Sequence, residues 1–214
     1  MTVNDPSAPR VARVVDYFSP KQQMAYLVME FIDTATSADN APETVADALQ
    51  WLRRVPAPHD VIIGSVGGGP RHKLFRDSEA PLLFSSKWAL QNYMNKVCSR
   101  CSRTDSGLRQ ANKDGFQQRQ ARFTQSDMDK SHFFIDNNGN MCILDFKTVV
   151  ILPESFASYT MYASSSPFGK NVARCLGWPP SSNLESMRKA GAILMMLADE
   201  TLGLDKDGFP RARH

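Results

Sequence analysis

Four residues in the second half of the chain have side chains that could carry chemistry at one place. Asp127 and His132 precede a short apolar run, while Asp145 and Lys147 follow the next one. Carboxylates and imidazoles can serve as general acids and bases, and an imidazole exchanges protons near neutral pH. We therefore predict that these four residues orient a ligand or transfer its protons. The alternative is a surface turn whose flanking charges are only solvated.

The two apolar runs, residues 133–135 and 141–144, predict a β-hairpin. Asn138 and Gly139 lie between them, and Asn-Gly is strongly favoured in two-residue hairpin turns because both residues tolerate a positive φ. Such a turn determines which residues face each other across the ladder. The expected pairs are Ile135 with Cys142, Phe134 with Ile143, and His132 with Asp145. The hairpin would thus bring the polar residues together at its open end.

The order of residues from Phe123 to Glu154 resembles the catalytic and metal-binding loops of the aminoglycoside-phosphotransferase-like, protein-kinase-like family, especially its many fungal members. The shared pattern is Phe-Thr-x-x-Asp-Met, three apolar residues, a glycine, four apolar residues, Asp-Phe and a later Leu-Pro-Glu. The resemblance implies that Asp127 stands where the family has its catalytic Asp. It also implies that Asp145 stands where the family has the metal-binding Asp of the DFG-type loop.

The chain departs from the family pattern where the chemistry is done. Gln125 stands in place of a His, and His132 stands in place of the Asn that normally helps to hold magnesium. Mg²⁺ takes oxygen ligands, so an imidazole is a poor substitute. Lys147 adds a positive charge near the metal position. These departures predict a site that has lost phosphotransfer and needs no cofactor.

The N-terminal region predicts two strands, residues 11–18 and 25–32. The resemblance implies that the second is the last strand of an N-terminal lobe, followed by a hinge at residues 30–33. Too few residues precede the hinge for a Gly-rich loop, an ATP-binding Lys and its helix, so the chain either lacks most of that lobe or is a fragment. We predict an α+β fold with remnant N-lobe strands in 1–33 and a kinase-like, mainly helical C-lobe in 34–214.

Three helix starts and stops can be predicted in that C-lobe. Asp39 is expected to cap a first helix that ends before Pro56, and Ser85 and Ser86 are expected to begin a second. A C-terminal helix is expected after residues 181–183, with Gly203 as its stop. This last helix is apolar nearly all round, which predicts that it is buried in the core.

A glycine-rich stretch at residues 64–70 could suggest a phosphate loop, but it matches neither of the common nucleotide-binding patterns, and Pro70 follows the glycines directly. The basic residues after it are Arg71, His72, Lys73 and Arg76. They are either solvated loop charges or a grip for an anion or carboxylate. Residues 98–120 are polar and predict a long loop or an exposed helix, with Phe116 as its anchor.

Composition limits the remaining function classes. The 214 residues are 42% apolar and carry a formal net charge of +3 from 25 basic and 22 acidic side chains. No basic, aromatic-interleaved stripe favours nucleic acid, and no signal sequence or apolar run of about 18 residues indicates secretion or a membrane. We predict a cytoplasmic protein. Its four cysteines include a lone C-x-x-C, for which reduced thiols are favoured over a zinc or redox site.

The favoured function is binding of a small organic ligand in the former nucleotide cleft, with cyclisation or isomerisation as its reaction. The fungal resemblance suggests a secondary metabolite. An apolar wall with a few convergent polar groups is the general form of a small-molecule site. The predicted ligand-binding residues are Tyr26, Met29, Glu30, Phe31, Phe134 and Phe146. The apolar wall would also include Val28 and Phe133.

Two alternatives remain open. The first is a small-molecule phosphotransferase that uses Asp127 as its base and Asp145 to hold Mg-ATP. The second is a non-catalytic pseudokinase that binds a protein partner through an exposed apolar patch. Exposed strand edges also predict a homodimer.

Overall fold

A computed structural model gives the fold and describes residues 5, 7–21, 24–57, 63–65, 69–100, 121–163 and 166–212. Helices and short antiparallel strands are mixed along these residues, which confirms the predicted α+β class. The helices are α1 (Pro42–Arg54), α2 (Lys87–Ser99), α3 (Glu154–Ala163), α4 (Pro167–Cys175) and α5 (Leu184–Leu194). The strands are β1 (Val14–Lys21), β2 (Met24–Met29), β3 (Thr34–Ser37), β4 (Gly64–Ser65), β5 (Ala121–Gln125), β6 (Phe133–Asp136), β7 (Met141–Ile143) and β8 (Val149–Pro153).

The strands of the described residues form small antiparallel sheets. β1 pairs with β2 alone, β6 lies between β3 and β7, and β8 lies between β4 and β5. In the last of these sheets, Gln125 at the end of β5 lies opposite Val149 at the start of β8. The loop that follows β5 and the turn that precedes β8 are therefore neighbours. These two segments carry Asp127 and Asp145.

The hairpin of β6 and β7 forms where it was predicted, but its register differs by one residue. Phe134 pairs with Cys142, and Phe133 pairs with Ile143. The predicted pairs were therefore wrong, including the pairing of Phe134 with Ile143 and of His132 with Asp145. A shift of one residue reverses the face to which a side chain points.

The shift arises because the hairpin turn has three residues and not two. The Asp136 N–H donates to the Asn140 carbonyl at 3.0 Å, and Gly139 takes a left-handed φ of +82° inside the turn. The Asp136 carboxylate also accepts the N–H groups of Asn138 and Asn140, at 2.9 and 2.8 Å. The guanidinium of Arg10 and the Asn140 N–H hold the pKa of Asp136 at about 2. This carboxylate organises the longer turn.

The N-terminal strands β1 and β2 form a two-stranded ribbon near the predicted positions. Its apolar side chains are exposed on both faces: Tyr17 on one face is 63% exposed, and Phe18 on the other is 46% exposed. Phe18 stacks on Tyr26 with ring centroids 5.2 Å apart. The homodimer was predicted because exposed strand edges, such as those of this ribbon, are often covered by a second copy of the chain. That homodimer stays a prediction. The division into 1–33 and 34–214 also stays a prediction.

The larger buried cluster lies among α2, α3, α5 and the segment before α2. Tyr93, Phe156 and Met187 are at most 1% exposed there. A second cluster joins α1, α4 and the hairpin, where Phe133 is fully buried with its ring 5.7 Å from that of Phe168. The prediction that Phe133 belongs to a ligand-facing wall was wrong, because this side chain packs into the core.

Helix boundaries follow local signals at some ends only. Ser86 caps α2 as predicted, since its hydroxyl accepts the Ala89 N–H at 3.0 Å. Asp39 does not cap α1, which begins at Pro42 without a side-chain cap. The Asp39 carboxylate instead accepts a hydrogen bond from the Lys130 ammonium at 2.6 Å. A tertiary ion pair has replaced the expected cap.

The C-terminal helix is shorter than predicted. α5 ends at Leu194, and Met195 and Met196 after it are 48% and 77% exposed. Gly203 lies in a later turn and does not end the helix. The prediction of a helix buried on all sides was therefore wrong. Its apolar residues divide between the core and a solvent-facing turn.

Some predictions fall outside the described residues. These are the glycines at 66–68 and most of the polar segment, residues 101–120, with Phe116 and Cys101. Among the helices that the structure describes, none has the length and apolar character needed to cross a bilayer.

Candidate functional site

Asp127 lies in the loop after β5, and hydrogen bonds hold this loop in place. The Ser126 N–H donates to the Thr148 carbonyl at 2.8 Å, which ties the loop to the turn before β8. The Asp127 carboxylate accepts the Asp129 N–H at 3.1 Å. The Asp127 N–H lies 3.4 Å from the side-chain oxygen of Gln125, which is only 1% exposed. Gln125 therefore positions the backbone of Asp127 from a buried site.

Asp145 lies in the turn between β7 and β8 with a φ of +56°. A residue with a Cβ atom adopts this left-handed conformation at a cost, so the surrounding contacts must stabilise it. Thr148 donates its N–H and its hydroxyl to the Asp145 carbonyl, at 3.1 and 2.8 Å. The Leu144 N–H donates to the His132 carbonyl at 2.8 Å. These bonds hold Asp145 and His132 side by side.

A histidine and a lysine flank the Asp145 carboxylate. His132 Nε2 lies 3.6 Å from one carboxylate oxygen, and Lys147 Nζ lies 3.6 Å from the other. The Nδ1 atom of His132 is buried, and no described residue forms a hydrogen bond with it. Each oxygen of Asp145 thus already faces a nitrogen of the protein.

Asp127, His132, Asp145 and Lys147 line one polar cleft with a volume of about 370 Å³. The structure therefore brings together the four side chains that were predicted to act as one site. The cleft also includes residues from the opposite segment. These are Arg71, Lys73, Asp77 and Ser78.

Lys73 is one of the cleft residues that the sequence analysis did not assign to this site. It was grouped with three other basic residues, and that group does not act as a unit. Arg76 forms an ion pair with Glu200 at 2.9 Å, and Arg71 pairs with Glu79 at 3.4 Å. Burial lowers the pKa of the Lys73 ammonium, and the charge of Asp127 partly opposes this shift. His72 and Leu74 are buried, and Lys73 between them faces the cleft. The sequence alone does not show which of these neighbouring residues is buried.

His72 was expected to be either a solvated charge or part of an anion grip, and both interpretations were wrong. Its side chain is 1% exposed, and burial lowers its pKa to about 3, so the imidazole is neutral. Its Nε2 lies 2.8 Å from the Thr160 hydroxyl and 3.0 Å from the Phe156 carbonyl, while its Nδ1 accepts the Leu74 N–H at 3.1 Å. His72 thus fastens the segment that carries Lys73 to helix α3.

An apolar cavity with a volume of about 440 Å³ adjoins the polar cleft. Its lining includes Trp51 of α1, Val55 just after that helix, Phe123 of β5 and Ile143 of β7. Phe146 and Lys147 also line it, and Lys147 belongs to the polar cleft as well. The two spaces therefore meet at Lys147, where the apolar wall gives way to charged groups.

Of the predicted ligand-binding residues, Phe146 lines this cavity and the other five lie outside it. The five are Tyr26, Met29, Glu30, Phe31 and Phe134. Phe31 is 87% exposed, and Glu30 forms an ion pair with Arg10 at 2.6 Å. The structure does not bring these residues together around either space. The apolar wall is formed instead by α1 and the sheet of β5 and β8, for which the sequence held no ligand-specific signal.

The donor set does not fit the magnesium ion of the resembled family. Within the described part of the chain, no group of three or more His, Cys, Asp or Glu residues is close enough to hold a metal ion. Asp145 is flanked by an imidazole and an ammonium, and neither is an oxygen ligand of the kind that Mg²⁺ prefers.

No protein-family model and no curated protein matches the chain. Solved structures show similarity at the level of the fold. The GDP and kanamycin complex of APH(2")-IIia aligns with a TM-score of 0.45 and 11% identity, over 91% of this chain and 66% of that one. The GDP complex of wild-type aminoglycoside 2'-phosphotransferase-IIIa aligns with a TM-score of 0.46 and 10% identity, over 92% of this chain and 67% of that one. This chain thus spans about two thirds of those kinase-like structures, and the likeness assigns no activity.

Proposed function

We propose that the protein binds a small organic molecule whose apolar body lies in the cavity and whose polar end lies in the cleft. One observation carries the proposal: an apolar cavity of about 440 Å³ meets, at Lys147, the cleft that contains Asp127, His132 and Asp145. Small-molecule sites are typically apolar spaces of about 300–1,000 Å³ with a few convergent polar groups. The pairing of cavity and cleft matches that description.

The cleft supplies groups for the isomerisation or cyclisation of such a ligand. Asp127 and His132 can take up and return a proton, and Lys147 can stabilise a negative charge that develops on the ligand. Asp145 holds His132 and Lys147 in position. One of its carboxylate oxygens lies 3.6 Å from His132 Nε2, and the other lies 3.6 Å from Lys147 Nζ. The reaction class and the secondary-metabolite substrate belong to this proposal.

A larger side chain at Val55 should weaken ligand binding. Val55 follows the last residue of α1 and lines the cavity while only half-buried, so a Trp there can fill the space without rebuilding the core. We expect Val55→Trp to weaken the binding of anilinonaphthalene sulfonate by about tenfold, or ~1.4 kcal/mol. A fluorescence titration measures this affinity.

Val15→Trp is the matched control for this titration. Val15 lies on the ribbon, is 59% exposed and does not line the cavity. This variant should bind the dye as the original protein does. Equal affinities of the two Trp variants would show that the dye binds exposed apolar surface, and the proposal would fail.

The phosphotransferase alternative has one observation in its favour, since Asp127 and Asp145 line the same cleft. A calorimetric titration with ATP and Mg²⁺ distinguishes it from our proposal. We expect no saturable, magnesium-dependent heat, because Asp145 already faces two nitrogens of the protein. Saturable binding that disappears in Asp145→Ala would contradict the proposed function and favour phosphotransfer.

The protein-partner alternative is favoured by a different observation. The exposed apolar side chains of β1 and β2 form a surface of the kind that partners cover. This surface and the apolar cavity coexist, so the ribbon does not replace the small-molecule site. Partner binding stays a prediction.

A further inference from the structure

The segment from Arg71 to Ser78 holds Lys73 rigidly at the polar cleft. His72 and Leu74, on either side of Lys73, are at most 1% exposed. The His72 N–H donates to the Ser78 carbonyl at 2.9 Å, and its ring is bonded to Thr160 of α3. Both neighbours of Lys73 are therefore anchored in the core. Such anchoring is what a positioned functional side chain requires.

The Lys73 amine differs from the other cleft-lining lysine in its surroundings. Lys147 Nζ lies 3.6 Å from Asp145, whereas no described residue forms a hydrogen bond or an ion pair with the Lys73 amine. Burial lowers its pKa, with Asp127 as the opposing charge. A half-buried lysine that forms no direct ion pair with a described residue holds a larger fraction of neutral, nucleophilic amine than an exposed one.

Backbone strain is also concentrated around this amine. Four non-glycine residues of the described chain have a positive φ, and Asp77, Ser78 and Asp145 are three of them, at +52°, +57° and +56°. All three line the polar cleft. Strained conformations persist where the surrounding structure enforces them, and they cluster at functional sites. The strain supports the assignment of the cleft as the place where the ligand reacts.

We propose that Lys73 is a covalent attachment site for an aldehyde or ketone, with which its amine forms an imine. This inference rests on the proposed function, because the apolar body of the carbonyl compound occupies the adjoining cavity. The carbonyl carbon then lies in the cleft, between Lys73 and the acid–base groups Asp127 and His132. The substrate class is an apolar carbonyl compound.

The step balances without an oxidant or a reductant. The lone pair of the neutral Lys73 amine forms a bond to the carbonyl carbon while the carbonyl oxygen takes a proton from Asp127 or His132. The nitrogen returns one proton to the residue that supplied the first, and that residue then protonates the hydroxyl group. The C–O bond breaks, one water molecule leaves, and the second nitrogen proton passes to the same residue to give the imine. An imine withdraws electrons from the neighbouring carbon, so a proton there becomes easier to remove. That acidity would serve the isomerisation or cyclisation in the proposed function.

The test is reductive labelling of the full chain with naphthaldehyde and sodium cyanoborohydride, followed by peptide mass mapping. We expect Lys73 to be labelled about tenfold faster than Lys170, which is an exposed lysine on α4. Labelling at this position should disappear in Lys73→Arg, which keeps the charge but forms no imine. In Lys170→Arg the labelling of Lys73 should be unchanged.

The rates in the unsubstituted chain decide the inference even if Lys73→Arg fails to fold. Equal labelling of Lys73 and the exposed lysines would overturn it. Undiminished binding of anilinonaphthalene sulfonate in the same sample would then leave the proposed function intact, since that dye has no carbonyl group. Selective labelling that Val55→Trp does not slow would instead overturn the placement of the ligand body in the cavity. Selective labelling that slows in Val55→Trp supports both.

Discussion

Lowering the pH from 7.5 to 5 is expected to reduce the free energy of unfolding by about 2 kcal/mol through one buried side chain, His72. Its pKa is about 3 in the folded protein, against 6.5 for an ordinary histidine, because burial disfavours the charged ring. The unfolded chain therefore binds the proton first as the pH falls. Stability is complete above about pH 6.5 and is lost progressively as the pH falls towards 3.

The hydrogen bonds of His72 explain why the folded protein resists protonation there. Nδ1 accepts the Leu74 N–H at 3.1 Å, so a proton on that nitrogen would place two donors against each other. Nε2 donates towards the Phe156 carbonyl at 3.0 Å and the Thr160 hydroxyl at 2.8 Å. The neutral ring satisfies every partner. Each pH unit below the pKa of the unfolded chain lowers the free energy of unfolding by ~1.4 kcal/mol. Because pH 5 is about 1.5 pH units below that pKa, the total loss is about 2 kcal/mol.

Urea unfolding at several pH values measures this effect. His72→Gln is the control, because its amide can still donate to Phe156 but does not titrate in this range. The variant should be less stable at pH 7.5, and its loss between pH 7.5 and 5 should be about 2 kcal/mol smaller. An equally steep loss in both proteins would assign the acid sensitivity to other groups. The carboxylates with lowered pKa values, such as Asp136, titrate at lower pH.

Gly208→Ala is expected to cost about 2–4 kcal/mol of stability, since two penalties add. Gly208 has a φ of +82°, which a side chain tolerates poorly. A Cβ atom there would lie 3.0 Å from the Ala89 Cα and 3.3 Å from the Ala89 carbonyl oxygen. Because these are backbone atoms of α2, they cannot move aside as a flexible side chain would. The C-terminal loop would have to separate from the helix.

Gly139→Ala is a matched control that has the backbone strain but not the close contact with a helix. Gly139 has the same φ of +82°, but a Cβ atom there meets nothing within 4 Å. Its substitution should cost only the conformational term, about 1–2 kcal/mol. Thermal and urea unfolding of the two variants therefore separates backbone strain from close packing. Equal destabilisation would mean that α2 and the loop adjust freely.

Several features of this protein were determined by the sequence itself, because their causes are local. Residues 133–144 form a hairpin since two apolar runs flank Asn138 and Gly139. Ser86 begins α2 since its hydroxyl reaches an N–H three residues ahead. The gathering of Asp127 and Asp145 was also predicted from the sequence, because the hairpin of β6 and β7 lies between them. Local hydrogen bonding and the succession of strands are properties that a sequence encodes directly.

Other features were decided only by the tertiary structure. The hairpin register depends on Asp136, whose carboxylate is held by the distant Arg10. The cleft position of Lys73 depends on the burial of His72 against α3, some eighty residues further along the chain. The apolar cavity is the space that remains between α1 and the sheet of β5 and β8. Each of these features arises from contacts between segments that are far apart in the sequence. The physical reason is that packing between such segments determines which side chains are buried and where space remains, and a local sequence pattern does not specify that packing.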